Sequence, residues 1–219
     1  MDRAENALLL GSSAGGVATA IYCDRFRGFL PSAFRVKCFS DGGYFFLSNH
    51  HIKGNQFLSF FKGLINLHGS TDALPKSCTS KLTAALCFFP PNLKDGIYTP
   101  IFFLNSAFDL VQINYTLSIE YADCANHRNC SSRQVRVLQD LRTELLEFLP
   151  PLTSNSTKGV LINSYPSHTR LFDPTWNSMA PVANETYNQL LRDWYFDRKR
   201  VQIIDQNPCP DVDCTRPPY

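Results

Sequence analysis

Residues 7–19, ALLLGSSAGGVAT, constrain the fold more than any other part of the chain. Three leucines run straight into a cluster of small residues and then into a helix-forming segment, so the backbone must leave a strand, turn at once and enter a helix. Gly11-Ser12-Ser13-Ala14-Gly15 fits Gly-x-Ser-x-Gly, the pattern of a strand-to-helix elbow whose central serine is strained and whose small neighbours avoid collision. Such a turn lifts the Ser13 hydroxyl out of the sheet. It also aims the Ala14 N–H, at the start of the new helix, at negative charge developing beside that hydroxyl. Ser13 is therefore the candidate nucleophile and Ala14 the candidate oxyanion donor.

A serine activated in this way needs an acid and a base that follow it in the chain, each in a loop just past the C-terminal end of a later strand. The apolar runs predict strands at 7–10, 35–39, 99–104 and 159–162, and the helical spacing predicts helices at 14–26, 55–68, 132–149 and 181–198. Gly69 stands where a C-terminal cap belongs, and Pro150-Pro151 stops the third helix. Strands alternating with helices imply an α/β class, a mainly parallel sheet with helices on both faces. Asp109 lies just after the third strand and His168 just after the fourth, so they are the candidate acid and base. Asp41, at the end of the second strand, is the rival acid; otherwise it is a turn residue ahead of Gly42-Gly43.

The other histidines suggest less. His50-His51 lacks partners at metal-ligand spacing, His68 closes a helix, and His127 sits in the short Cys124–Cys130 loop. No metal or organic cofactor is implied. With 21 Lys and Arg against 19 Asp and Glu, and only Arg198-Lys199-Arg200 clustered, the run reads as a solvated helix end and nucleic acid is not the expected partner. The apolar runs fall short of the roughly 20 residues that span a bilayer, so no membrane segment is expected, and the first residues lack the order of an export signal.

Eight cysteines without a Cys-x-x-Cys pair point to a disulfide framework rather than a metal site. Proximity suggests Cys78–Cys87, Cys124–Cys130 and Cys209–Cys214, leaving Cys23 for Cys38, although spacing alone leaves other connectivities open. Sequons at Asn114, Asn129, Asn155 and Asn184 agree with an oxidising, secretory compartment.

Gly11-Ser-Ser-Ala-Gly-Gly16, Cys23-Asp-Arg-Phe26, Lys37-Cys-Phe-Ser-Asp-Gly-Gly43, Leu86-Cys-Phe-Phe-Pro90, Leu104-Asn-Ser-Ala-Phe-Asp-Leu-Val-Gln112 and Asp193-Trp-Tyr-Phe-Asp-Arg198 resemble the plant pectin acetylesterases nearly end to end. These are similar in turn to the Notum carboxylesterases, but the Trp-Tyr-Phe-Asp-Arg element looks like the plant branch. The resemblance implies an α/β-hydrolase with Ser13 as nucleophile, Asp109 as acid and His168 as base. It also implies a secreted cell-wall enzyme acting on acetylated pectin, monomeric when intact. The rival readings are a catalytically inactive truncated glycoprotein and a Notum-like lipid deacylase.

Two departures from the family carry expectations of their own. Where members write Asn-Ser-Cys-Phe-Ala-His-Cys-Gln, this chain has Asn163-Ser-Tyr-Pro-Ser-His-Thr-Arg170, so Tyr165 and Thr169 replace both cysteines and the loop around His168 is expected to be looser. Members also carry a leader, the first strands of the sheet and a Gly-rich, Trp-containing oxyanion loop ahead of the elbow. Residues 1–219 are thus expected to be the C-terminal part of a single domain, lacking the N-terminal strands and aggregation-prone along the open edge of the Ser13 strand. The missing oxyanion donor would cost about 3–4 kcal/mol of transition-state stabilisation.

Overall fold

A computed structural model of the chain describes residues 3–51, 53–151, 156–180 and 184–206. In chain order its elements are β1 (Asn6–Ser12), α1 (Ala14–Gly28), β2 (Arg35–Asp41), α2 (Gly54–His68), α3 (Lys76–Thr79), β3 (Ile101–Ser106), α4 (Leu110–Thr116), α5 (Ile119–His127), α6 (Ser132–Phe148), β4 (Gly159–Asn163), α7 (Tyr187–Tyr195) and β5 (Gln202–Ile204). The strands form one sheet in the order β1-β2-β3-β4-β5, every pair parallel. Register aligns their C-terminal ends, Ser12 opposite Asp41, Asp41 opposite Leu104 and Ser106 opposite Asn163. Whatever follows each strand is thereby delivered to one rim.

Side chains alternate across the sheet, and each face finds its own cover. On one face Cys38, Ile101, Phe103, Val160 and Ile162 join a core with residues of α1, α2, α4, α5 and α6. On the other, Phe39, Phe102, Leu104 and Leu161 pack with Tyr187, Leu190 and Trp194 of α7. The expected α/β architecture with helices on both faces is thus observed. Every residue of β3 and β4 is buried, as strands flanked on both edges require. By contrast β1 pairs only with β2 among the described residues, and Leu10 remains 49% exposed.

Most expected elements are present with shifted ends, and the exceptions have local causes. Gly69 does cap α2, in the left-handed conformation at φ 59°. The expected apolar face of α2 is narrower than the sequence suggests: Phe57 and Phe61 are buried, but Phe60 and Leu67 face solvent. The last helix, expected over 181–198, spans Tyr187–Tyr195, because Thr186 opens it in a reciprocal capping box with Gln189; residues 181–183 lie outside the described residues. Helices α4 and α5 and strand β5 had no strong periodic signal, being short and broken at Leu117-Ser118.

Three expected disulfides are formed, Cys23–Cys38, Cys78–Cys87 and Cys124–Cys130. The fourth, Cys209–Cys214, lies outside the described residues. Cys23–Cys38 closes a separation of 15 residues and ties α1 to β2 beneath the elbow. A loop of that length, left open in the unfolded chain, is worth about 3 kcal/mol by loop-closure entropy. The double variant Cys23→Ala/Cys38→Ala should therefore lose about 3 kcal/mol in urea unfolding relative to the oxidised chain, with the loss vanishing when both are compared reduced.

Candidate active site

Ser13 follows β1 directly and holds φ 58°, ψ −122°, a region that costs a non-glycine residue strain energy. Two features hold it there. Its N–H donates to the Asp41 carbonyl at 2.8 Å, and Gly11 allows the chain to fold back on itself, since a Cβ at Gly11 would lie 2.1 Å from the Gly15 carbonyl oxygen. Gly15 itself meets a different outcome from the sequence expectation: a Cβ there would touch nothing within 4 Å, so the steric need for small residues rests on Gly11 and on Gly16, where a Cβ would lie 2.9 Å from Ser40 Oγ. Ala14 begins α1, and its N–H has no acceptor among the described residues, as expected of a helix's first turn.

Asp109 sits where β3 turns into α4 and serves two partners with its two carboxylate oxygens. Oδ1 caps α4, accepting from the N–H groups of Val111 at 2.9 Å and Gln112 at 3.0 Å. Oδ2 lies 2.9 Å from His168 Nδ1. A carboxylate can only accept, so the proton between them resides on Nδ1, leaving Nε2 as an acceptor. Ser13 Oγ is 2.6 Å from that Nε2. Three side chains from the ends of β1, β3 and β4 therefore form one hydrogen-bonded line, and Asp109, not Asp41, is the carboxylate on the imidazole.

Burial and charge set the titration of this line. For His168 burial is the largest single influence and would lower the pKa, but the hydrogen bond and charge of Asp109, with the charge of Asp41 behind, together raise it above the ordinary imidazole value. For Asp109 complete burial dominates and raises the carboxyl above its ordinary value, against the pull of His168 and the two capping N–H groups. The ring of Phe45 stacks on the imidazole, 5.9 Å between centroids.

Asp41 does not contact the imidazole, and it does more than turn the chain. Only 1% exposed, its carboxylate accepts from the Ser12 hydroxyl at 2.7 Å, the Arg170 N–H at 3.0 Å and the Leu171 N–H at 2.9 Å. One side chain thus pins the elbow and the loop bearing His168 together. Gly42, at φ 59°, lets that loop approach: a Cβ there would lie 2.3 Å from the His168 carbonyl oxygen. The sequence offered a signal for this role, a carboxylate at a strand end beside two glycines, but not its partners.

The loop bearing His168, expected to be looser without the two cysteines, makes a set of polar and stacking contacts. The Ser106 hydroxyl donates to the Tyr165 carbonyl at 2.5 Å, and the Leu110 N–H to the Ser167 carbonyl at 3.4 Å. The Arg170 guanidinium lies over the Tyr165 ring at 3.9 Å while it grips Asp173 at 2.7 Å. Tyr165 supplies the stacking platform for that guanidinium.

A family model described as pectinacetylesterase matches residues 1–215. The chain belongs to the pectinacetylesterase family. Pectin acetylesterase 7 of Arabidopsis thaliana is 35% identical over 98% of this chain and 57% of its own length; pectin acetylesterase 5 of the same plant is 36% identical over 96% of this chain and 51% of its own length. The chain thus spans between half and three fifths of the curated relatives it matches. Among solved structures, the Wnt deacylase Notum from Drosophila superposes with a TM-score of 0.71 at 20% identity, over 96% of this chain and 59% of Notum's, a likeness of fold.

Two other histidines of this pectinacetylesterase-family chain lie on helix ends. His127 Nδ1 lies 2.9 Å from the Asp123 carbonyl on the exposed end of α5, and His68 ends α2. Among the described residues no three His, Cys, Asp or Glu side chains are grouped to hold a metal. Titration of His168 offers a direct check of the site. Followed by nitrogen-detected NMR, its imidazole should titrate above the ordinary value of about 6.5, and Asp109→Ala should bring it below, because burial remains when the supporting charge is gone. A folded value above the unfolded one means that His168 stabilises the fold fully below about pH 6.5, a contribution that fades as pH rises through the folded value.

Proposed function

We propose that this chain carries the nucleophile, base and acid of a serine carboxylesterase that removes acetyl groups from pectin. The reading is carried by the continuous line of contacts, Ser13 Oγ to His168 Nε2 at 2.6 Å and His168 Nδ1 to Asp109 Oδ2 at 2.9 Å, between residues far apart in sequence. The names of the Arabidopsis relatives favour acetylated pectin as the substrate class.

In this mechanism Ser13 Oγ attacks the acetyl carbonyl carbon while His168 Nε2 takes the hydroxyl proton. Asp109 holds the tautomer that leaves Nε2 able to accept, and stabilises the imidazolium once it forms. The Ala14 N–H faces the negative charge that develops on the carbonyl oxygen. His168 then gives its proton to the departing sugar oxygen, which breaks the ester and leaves an acetyl-serine. Water attacks the acetyl carbon as His168 takes one of its protons, and the proton returns to Ser13 as acetate leaves.

The wider setting belongs to the same proposal. Three disulfides suit an oxidising compartment, and the exposed Asn114, Asn129 and Asn184 are acceptors for glycans, while Asn155 lies outside the described residues. We read the protein as one that works outside the cell, in the plant wall. No described helix is long and apolar enough to cross a membrane.

A fluorophosphonate probe should label Ser13, and p-nitrophenyl acetate turnover should fall by roughly 10⁴-fold in Ser13→Ala. Equal labelling and equal rates in the two chains would sink the esterase reading. A preference for octanoyl over acetyl ester would move the substrate class to lipid acyl groups. Because the base must be neutral to act, kcat/KM should rise through a pKa above about 6.5. Asp41→Asn should shift that limb to lower pH and reduce kcat, since it removes a charge supporting the imidazolium and loosens the His168 loop.

A further inference from the structure

A parallel sheet has two rims, and the line of Ser13, Asp109 and His168 occupies one of them. At the opposite rim, where β2, β3 and β4 begin, two cavities of about 490 Å³ and about 440 Å³ adjoin, sharing Lys37, Pro100 and Asp197 as walls. With β2 seven residues long, this groove lies on the order of 20 Å from the catalytic rim.

Its charge is lopsided. Arg27 and Arg35 line the first cavity, Lys158, Arg198, Lys199 and Arg200 the second, and Lys37 both, which is seven of the chain's 21 basic residues. Asp197 is the only acidic lining residue, out of 19 in the chain. A chain of net charge +2 therefore concentrates its positive charge here. Asp197 answers Lys37 and Arg35, Asp193 lies by Arg198, and Glu185 pairs with Lys199. Lys158 and Arg200 have no carboxylate partner among the described residues.

Aromatic rings stand beside these cations. Phe34 and Tyr98, both on the first cavity, are each 82% exposed. The Arg35 guanidinium lies between 5.4 and 5.6 Å from the rings of Phe34, Tyr195 and Phe196, so the guanidinium and the rings hold one another in place. Flat apolar rings interleaved with fixed cations match a polymer whose units offer both an apolar ring face and a carboxylate.

We propose that this groove binds an acidic polysaccharide, a chain of uronic acid sugars, and tethers the protein to it away from the reacting ester. The choice of a uronate glycan over other polyanions rests on the pectin reading above. Sugar faces stack on Phe34 and Tyr98, and carboxylates meet Lys158 and Arg200. The Arg198-Lys199-Arg200 run, which as sequence reads as a solvated helix end, becomes one wall of the site.

Affinity electrophoresis of the full chain through gels containing polygalacturonate tests this directly. Retardation by polygalacturonate, none by a neutral galactan, and the same retardation of Ser13→Ala would support the groove independently of catalysis. The double variants Lys158→Glu/Arg200→Glu and Phe34→Ala/Tyr98→Ala, checked for an unchanged circular dichroism spectrum, should each weaken binding about tenfold or more, with the first effect fading in about 0.5 M salt. Unchanged binding in both variants, absence of retardation, or equal retardation by single-stranded poly(dT) would overturn it. Turnover of p-nitrophenyl acetate reads the Ser13 site alone, so lost binding with intact turnover removes the groove and spares the esterase, and the reverse result removes the esterase and spares the groove.

Discussion

The Asp41 carboxylate is the interaction on which the geometry of the rim depends. Through its carbonyl it takes the N–H of the strained serine, and through its side chain it takes Ser12 on one side and the backbone of Arg170 and Leu171 on the other. A carboxylate with 1% exposure would be costly if left unpaired, and three donors offset that cost. The Ser13 elbow and the loop bearing His168 are thus held to a common point. Their separation is fixed by the end of β2 rather than by two independent loops.

The elbow, the parallel sheet and the three side chains of the line were legible in the sequence because each has a short-range signature. Small residues between apolar and helical runs announce Ser13, and polar residues just past buried strands announce Asp109 and His168. Asp109 and Asp41 both end strands, and the structure separates them by which loop reaches which carboxylate. Asp109-Leu-Val-Gln112 did contain a helix-start signal, and α4 with its cap could have been read from it. The Asp41 contacts to residues about 130 positions away could not, nor could a three-residue β5, because long-range backbone pairing leaves no local pattern.

The loop that carries His168 is held by polar and stacking contacts, with no described disulfide within it. The Tyr165 ring carries the guanidinium of Arg170, the Ser106 hydroxyl donates to the Tyr165 carbonyl, and Gly42 permits the close approach of His168. Several modest interactions, each on the order of 1 kcal/mol, together hold the loop. They succeed because β3, β4 and the end of β2 already bring the chain segments into register.

The division of labour between the polar contacts and the sulfur bridges also sorts the molecule by its sensitivity to electrons. Of the described bridges, one fastens α1 to β2, one braces the segment after α2, and one closes the end of α5. None lies in the segment that carries the imidazole. A thiol reductant thus acts on the scaffold beneath and beside the rim, while the contacts that orient His168 contain nothing for it to cleave.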